Sequence, residues 1–168
     1  MTGGSRPILF LDVDGTLLPF GGVGMPVVPD APEVWTASSN PHLARIDRRL
    51  GPLLTGLGCD LVWATAWMDD ANRVIAPLLG LRRLAVADLP SYSGDLGDSN
   101  LQWKTRALVR IAAGRPFVWV DDVIGDADRR FVATEHDGEA LLHQVESAVG
   151  VTVADLDVIA AWVREVGE

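Results

Sequence analysis

The chain has few of the residues that most soluble proteins use to cover their helices. Among 168 residues there is one lysine, Lys104, beside 13 arginines, and there are only 6 glutamates beside 17 aspartates. Glutamate and lysine are good helix formers that fill solvated faces, whereas aspartate favours turns, caps and sites. The acidity is therefore expected to gather at particular places, and the lone lysine to hold a particular position. A single cysteine, Cys59, excludes an internal disulfide, and with no CxxC pair there is no zinc-finger spacing. No run of about 18 apolar residues occurs, so no transmembrane helix is expected. The start, Met1-Thr-Gly-Gly-Ser-Arg6-Pro7 and a short apolar run broken at Asp12, lacks the pattern of a signal peptide. A soluble cytoplasmic protein with no membrane partner is the expectation. A basic surplus is also missing. The net charge of −9 argues against coating nucleic acid or an anionic membrane by bulk charge. Only local patches such as Arg48-Arg49, Arg82-Arg83 and Arg129-Arg130 remain, and each also reads as a solvated helix face.

What is present is ordinary for a globular chain: 48% hydrophobic and 22% charged residues. The length suits one domain over residues 1–168, with no repeat or linker to divide it. Ile8 to Leu11 form a short continuous apolar run, as a strand buried on both faces would. Residues 19–40 hold Pro19, Pro26, Pro29 and Pro32 with Gly21, Gly22 and Gly24, a composition that breaks helices and predicts a loop or flap. Asn40 and Pro41 open a helix whose apolar positions run from Leu43 to Leu57 before Gly58. Strands follow at Cys59–Ala64, Leu84–Ala87, Pro116–Val120 and Ala140–Val145. Helices are expected over Asp69–Leu79, Leu101–Ala112, Ala127–Thr134 and Val153–Val166. This alternation predicts an α/β fold, a three-layer Rossmann-like parallel sheet of about five strands with helices on both faces. Ligands of such sheets sit beyond the carboxyl ends of the strands. There the chain places Asp12 with Asp14, Thr65, and Asp121 with Asp122.

Two carboxylates two residues apart, just past a buried strand, need a proton or a counter-charge. A hard divalent cation with oxygen ligands supplies one, and magnesium commonly takes one or two carboxylates plus substrate phosphate. Gly15 permits a tight turn whose amides can face an anion. Other motifs fail on spacing. An EF-hand loop begun at Asp12 would need glycine where Leu17 stands and glutamate where Val23 stands. Gly21-Gly-Val-Gly24 lacks the third glycine of a dinucleotide fingerprint, and no GxSxG, HExxH or Walker sequence occurs. The three histidines, His42, His136 and His143, have no ligand spacing and are expected at the surface or as caps.

Asp12-Val-Asp14-Gly15-Thr16-Leu17 resembles the first motif of the haloacid dehalogenase superfamily of aspartate-nucleophile phosphohydrolases. Thr65 at the end of Leu61-Val-Trp-Ala-Thr65 is similar to the second, Lys104 to the third, and Trp119-Val-Asp121-Asp122-Val-Ile-Gly-Asp126 to the fourth. The first and fourth are specific; the second and third gain weight from order and spacing. Read alone, Thr65 and Asp126 also serve as helix caps, and Lys104 as a solvated helix residue. The resemblance implies a magnesium-dependent phosphatase. In it Asp12 is the nucleophile, Asp14 the acid and then the base, and Thr65 and Lys104 hold the phosphoryl group. The metal would be held by Asp12, the Asp14 carbonyl and Asp122, with Asp121 and Asp126 in support. Trp67, just past Thr65, is a candidate for the wall of the phosphate pocket, although most tryptophans beside the motifs are expected to pack.

Members of this superfamily often carry a cap domain after the first or second motif. The spare segments here, 19–40 and 88–100, are too small for a cap with its own core. A capless, open site favours a phosphorylated macromolecule or a partner that closes the mouth. Trp63-Ala-Thr-Ala-Trp67 is also similar to capless branches associated with nucleic-acid end repair, against which the net acidity weighs, because phosphate contacts need several Lys or Arg. A binding or regulatory protein that keeps the fold without turnover is the other reading. Water-excluding phosphomutase chemistry suits an open mouth poorly.

Overall fold

The computed structural model describes residues 4–21, 35–91 and 100–168. The central part of the expected flap, residues 22–34, and residues 92–99 of the expected 88–100 loop lie outside them. Five strands form one parallel sheet: β1 (Ile8–Leu11), β2 (Asp60–Trp63), β3 (Ala85–Val86), β4 (Phe117–Asp121) and β5 (Ala140–Gln144), in the order β3-β2-β1-β4-β5. The chain winds outward from β1 through β2 to β3, then returns to the other side of β1 as β4. The crossovers thus diverge between β1 and β4, the point where open parallel sheets bind ligands. β1 and β4 are buried throughout, as their unbroken apolar sequences require.

Successive residues of a strand face opposite layers, and the core divides accordingly. Leu9, Leu11, Val118 and Val120 pack with α1 (Leu50–Thr55), α2 (Ala76–Leu79) and α5 (Val153–Val166). Ile8, Phe10, Phe117 and Trp119 pack with α3 (Thr105–Ala112) and α4 (Asp126–Glu135). The three-layer parallel sheet expected from the alternation is the fold observed. Among the described residues no separate unit stands over the strand ends as a cap, and no helix is long and apolar enough to cross a membrane.

Three local features differ from the sequence pattern. The helix expected from Asn40 to Leu57 is two pieces, a 3-10 turn at Pro41–Arg45 and α1. Ile46 leaves helical geometry (φ −65°, ψ 125°), and the Asp47 carboxylate accepts from the Arg49 amide at 3.0 Å, which restarts the chain. Apolar periodicity survives the break because Leu43, Ile46, Leu50 and Leu54 all pack against one core cluster. The helix expected over Asp69–Leu79 is a π turn, Ala71–Ile75, running into α2. Finally, two histidines lie inside. His136 is buried with its ring 4.8 Å from that of Phe117, and buried His42 lies 5.4 Å from the ring of Trp35.

Gly51 explains how α1 fits. A Cβ there would stand 1.8 Å from the Leu79 carbonyl oxygen, so only glycine lets α1 cross the end of α2 this closely.

Candidate active site

Asp12 directly follows β1, and its amide donates to the Val120 carbonyl (3.2 Å), so the nucleophile candidate still lies in register with β4. The chain then turns sharply. The amides of Thr16, Leu17 and Leu18 all return to the Val13 carbonyl at 2.9–3.1 Å. Gly15 sits in this turn at φ +70°, and a Cβ on it would lie 2.3 Å from Asp122 Oδ2. Glycine is required twice, for the left-handed backbone and for the approach of the Asp122 carboxylate. Gly15→Ala is expected to cost about 1–2 kcal/mol from backbone strain alone and to push Asp122 aside. Thermal melts should show a lower Tm in EDTA and a much smaller rise on adding magnesium. An unchanged magnesium response would mean that Asp122 has no part in holding metal.

Three buried charges form the centre. Lys104 Nζ donates to Asp12 Oδ1 at 2.8 Å and to Asp121 Oδ2 at 2.7 Å, and all three side chains are less than a tenth exposed. The lone lysine of the chain is therefore the ammonium between the ends of β1 and β4. Thr16 Oγ1 donates to the other Asp12 oxygen at 3.1 Å. Burial pushes the Asp12 carboxyl well above its usual range, against the pull of Lys104. Asp121 is raised for the same reason. Burial alone would depress the Lys104 ammonium, but the two carboxylates outweigh it and raise its pKa.

The tandem acids divide their work. Asp121 Oδ2 accepts from Lys104, Gln102 Nε2 (3.2 Å) and Trp119 Nε1 (3.2 Å), and its Oδ1 accepts from the Val123 amide (3.0 Å). A carboxylate has about four acceptor positions, so Asp121 is nearly saturated by protein. Asp122 Oδ2 accepts from Ser147 Oγ at 2.8 Å. Asp12, Asp121 and Asp122 each offer an oxygen, and these oxygens lie within 4.8 Å of one another. Three carboxylates beside one ammonium leave the group short of positive charge, and every donor is a hard oxygen. Both facts fit a magnesium ion, with Asp122 the better placed of the tandem pair to ligate it. Asp126 is not brought to this group; it is exposed at the start of α4.

Asp14 lies beside the centre. Its Oδ1 accepts two indole N–H groups, from Trp35 at 2.7 Å and Trp67 at 2.8 Å. Burial raises its pKa, against the two indole bonds and Lys104. A carboxyl shifted upward suits proton donation near neutral pH. Thr65 is buried, and its Oγ1 accepts from the Trp67 amide at 3.1 Å. An accepting hydroxyl still has its proton to give, so capping and phosphoryl binding are compatible at Thr65.

Sequence reasoning missed the supports of this site. Asp128 is buried; its Oδ1 accepts from the Gln102 amide (2.8 Å) and Thr105 Oγ1 (2.6 Å), and its Oδ2 from the Gly125 amide (2.8 Å). It ties the loop after β4 to the segment that presents Lys104. The available signal was its place three residues past Gly125, where an acidic side chain reaches back over a helix start. Asp128→Ala strands two backbone donors and a hydroxyl, so a loss of about 2–4 kcal/mol is expected, read as a fall in the urea midpoint. Gln102, Ser147 and Trp35 carry no comparable pattern. The arginine pairs stay outside the site: all six are exposed, and Arg49 and Arg83 pair with Asp47 and Asp69, contacts of small energetic weight.

A parallel sheet whose switch point holds an aspartate nucleophile candidate, a second aspartate two residues on, a bridging lysine and tandem acids defines a domain of the haloacid dehalogenase superfamily. Residues 8–156 match the family described as the HAD domain in Swiss Army Knife RNA repair proteins, and the chain belongs to that family. Among solved structures it is similar to the HAD domain of effector protein Lem4 from Legionella pneumophila. The TM-score is 0.52 at 14% identity, over 94% of this chain and 98% of that one, a likeness of fold. A search of curated proteins finds no match.

Proposed function

We propose that this chain is a magnesium-dependent phosphatase that removes a terminal phosphomonoester from RNA through an aspartyl-phosphate on Asp12. The observation that carries the reading is Asp12 itself: a buried carboxylate held between Lys104 and Thr16, with a second carboxyl, Asp14, two residues away. A fold retained only for binding has no need of a nucleophile, an acid and a lysine in one place. The description of the family as a domain of RNA repair proteins, and the lack of a cap among the described residues, support a polynucleotide end as the substrate.

In the proposed reaction an Asp12 oxygen attacks phosphorus while the bond to the leaving oxygen breaks. Asp14 gives its proton to that oxygen. It then takes a proton from the water that attacks the phosphorus of the aspartyl-phosphate, and phosphate departs with Asp12 restored. Lys104 offsets the charge of nucleophile and phosphoryl group together, and the Thr65 hydroxyl donates to a phosphoryl oxygen. Asp12, Asp122 and the Asp14 carbonyl would hold magnesium, which would supply charge neutralisation between two anions that otherwise repel. Asp121 and its donors keep Lys104 in place.

The test is a panel run with magnesium and with EDTA: oligoribonucleotides phosphorylated at either end, mononucleotides, sugar phosphates, phosphopeptides and an aryl phosphate. Magnesium-dependent release from RNA ends, faster than from mononucleotides, is expected. Preference for a small phosphate or a phosphopeptide would overturn the RNA assignment. Hydrolysis of nothing on the panel, the aryl phosphate included, would leave the non-catalytic binding reading.

A further inference from the structure

We propose that Trp35 and Trp67 are positioning residues, their two indole N–H groups tethering Asp14 Oδ1 so that Oδ2 is the oxygen presented to the leaving group. The inference rests on the phosphatase reading and deepens it. A carboxylate turns on a broad, roughly two-fold torsion with no strong preference of its own. Something else must hold the acid in place, because proton transfer requires heavy atoms within hydrogen-bond reach. Two donors at 2.7 and 2.8 Å on the same oxygen remove that freedom.

Both donors are themselves fixed. Trp67 is 2% exposed within the core, and its amide is bound to Thr65 Oγ1. It therefore links the acid to the residue assigned to the phosphoryl group. Trp35 reaches Asp14 from the segment between β1 and β2. Its carbonyl accepts from buried Asn40 Nδ2 at 2.7 Å, and its ring lies 5.4 Å from His42 and 6.1 Å from Phe20. An indole N–H only donates and usually finds a partner when buried. Satisfying two such groups would need only two carbonyls anywhere nearby. Here both meet on one oxygen of the carboxyl that must exchange protons. The segment between β1 and β2 thereby joins the chemistry, which explains a tryptophan in a stretch otherwise rich in proline and glycine.

Phenylalanine keeps most of the ring and removes the donor, so Trp35→Phe and Trp67→Phe are the informative variants. Rates of phosphoryl transfer are measured over a series of phosphomonoesters with leaving groups from p-nitrophenol to an alkyl alcohol. A poor leaving group needs the proton most, so the loss is expected to grow along the series, reaching about 10- to 100-fold for the alkyl ester. An equal loss at every leaving group, or none, would overturn the proposal, since a purely structural role gives no such slope. A second measurement stands apart from activity. The ¹⁵N–¹H resonances of both indoles in the folded protein are expected to move when Asp14 is replaced by alanine, with the melting curve confirming the fold. If they do not move, the tether is absent. If they move while no phosphomonoester is hydrolysed, the phosphatase reading fails and the proposal falls with it.

Discussion

Asp12→Asn is expected to lower turnover on the best substrate of the panel by about 10⁴-fold or more, while the protein becomes no less stable. The loss follows from chemistry, because an amide does not form the acyl-phosphate bond. Retention of the fold follows from geometry. The asparagine carbonyl can accept from Lys104 where Asp12 Oδ1 now does, at 2.8 Å, and its NH₂ can donate to the Thr16 hydroxyl that now donates to Oδ2. The sign of the stability change follows from Asp12, whose pKa is raised in the folded protein, chiefly by burial. A carboxyl of that kind binds its proton more tightly folded than unfolded, so its ionisation costs stability as pH rises through the folded value. A neutral isostere removes that cost. In EDTA at neutral pH the variant should therefore melt at or above the wild-type temperature. Activity within tenfold of wild type would show that Asp12 is not the nucleophile. A large fall in Tm would show that the ionised carboxylate contributes to folding instead of opposing it.

The legible part of the sequence was what local patterns encode. Apolar runs that stop at acids mark the strand ends, and alternation of strand and helix implies the parallel sheet, so pattern alone puts Asp12, Asp121 and Asp122 on one edge. Lys104 was marked by being the only lysine. The supports were hidden because their contacts are long-range and unpatterned. Trp35 reaches Asp14 across 21 residues, and Asp128 reaches Gln102 across 26. Only one local cue separates Asp126 from Asp128, the place of the latter three residues past Gly125. The first faces solvent where α4 begins, and the second turns inward two residues later to accept from Gly125. Fourth-motif spacing pointed to Asp126, whereas the hydrogen bonds select Asp128. The break at Ile46 was invisible for the opposite reason: the apolar pattern is correct on both sides of it.

Lys104→Met is expected to destabilise the protein by about 3–5 kcal/mol at neutral pH without metal, the range for removing one partner of a buried ion pair. Methionine keeps most of the stem volume, so the loss isolates the charge. What remains is Asp12 and Asp121 in the same buried space, stripped of the ammonium that now sits 2.8 Å from one and 2.7 Å from the other. Both carboxyls are already raised by burial with Lys104 present, and its removal raises them further. The folded variant then binds more protons than the unfolded chain above the ordinary carboxylate range. Its stability must fall as pH rises through the shifted values, and return as pH drops toward that range. Urea midpoints across pH 5–8 measure this slope, which should be steeper than in wild type. Magnesium should recover part of the loss, since a cation held by Asp12 and Asp122 would bind only the folded state. The decisive variant is Lys104→Met with Asp12→Asn. Removing one partner leaves an uncompensated charge, whereas removing two of the three charges leaves Asp121 alone with its donors from Gln102, Trp119 and Val123. The pair should exceed Lys104→Met in stability by more than Asp12→Asn gains in the wild-type background, a coupling of the size seen for residues in one buried network. Strictly additive effects, with the pair gaining over Lys104→Met only what Asp12→Asn gains alone, would mean that Lys104 stabilises the fold through its packed stem, and that charge balance at the strand ends does not govern this site.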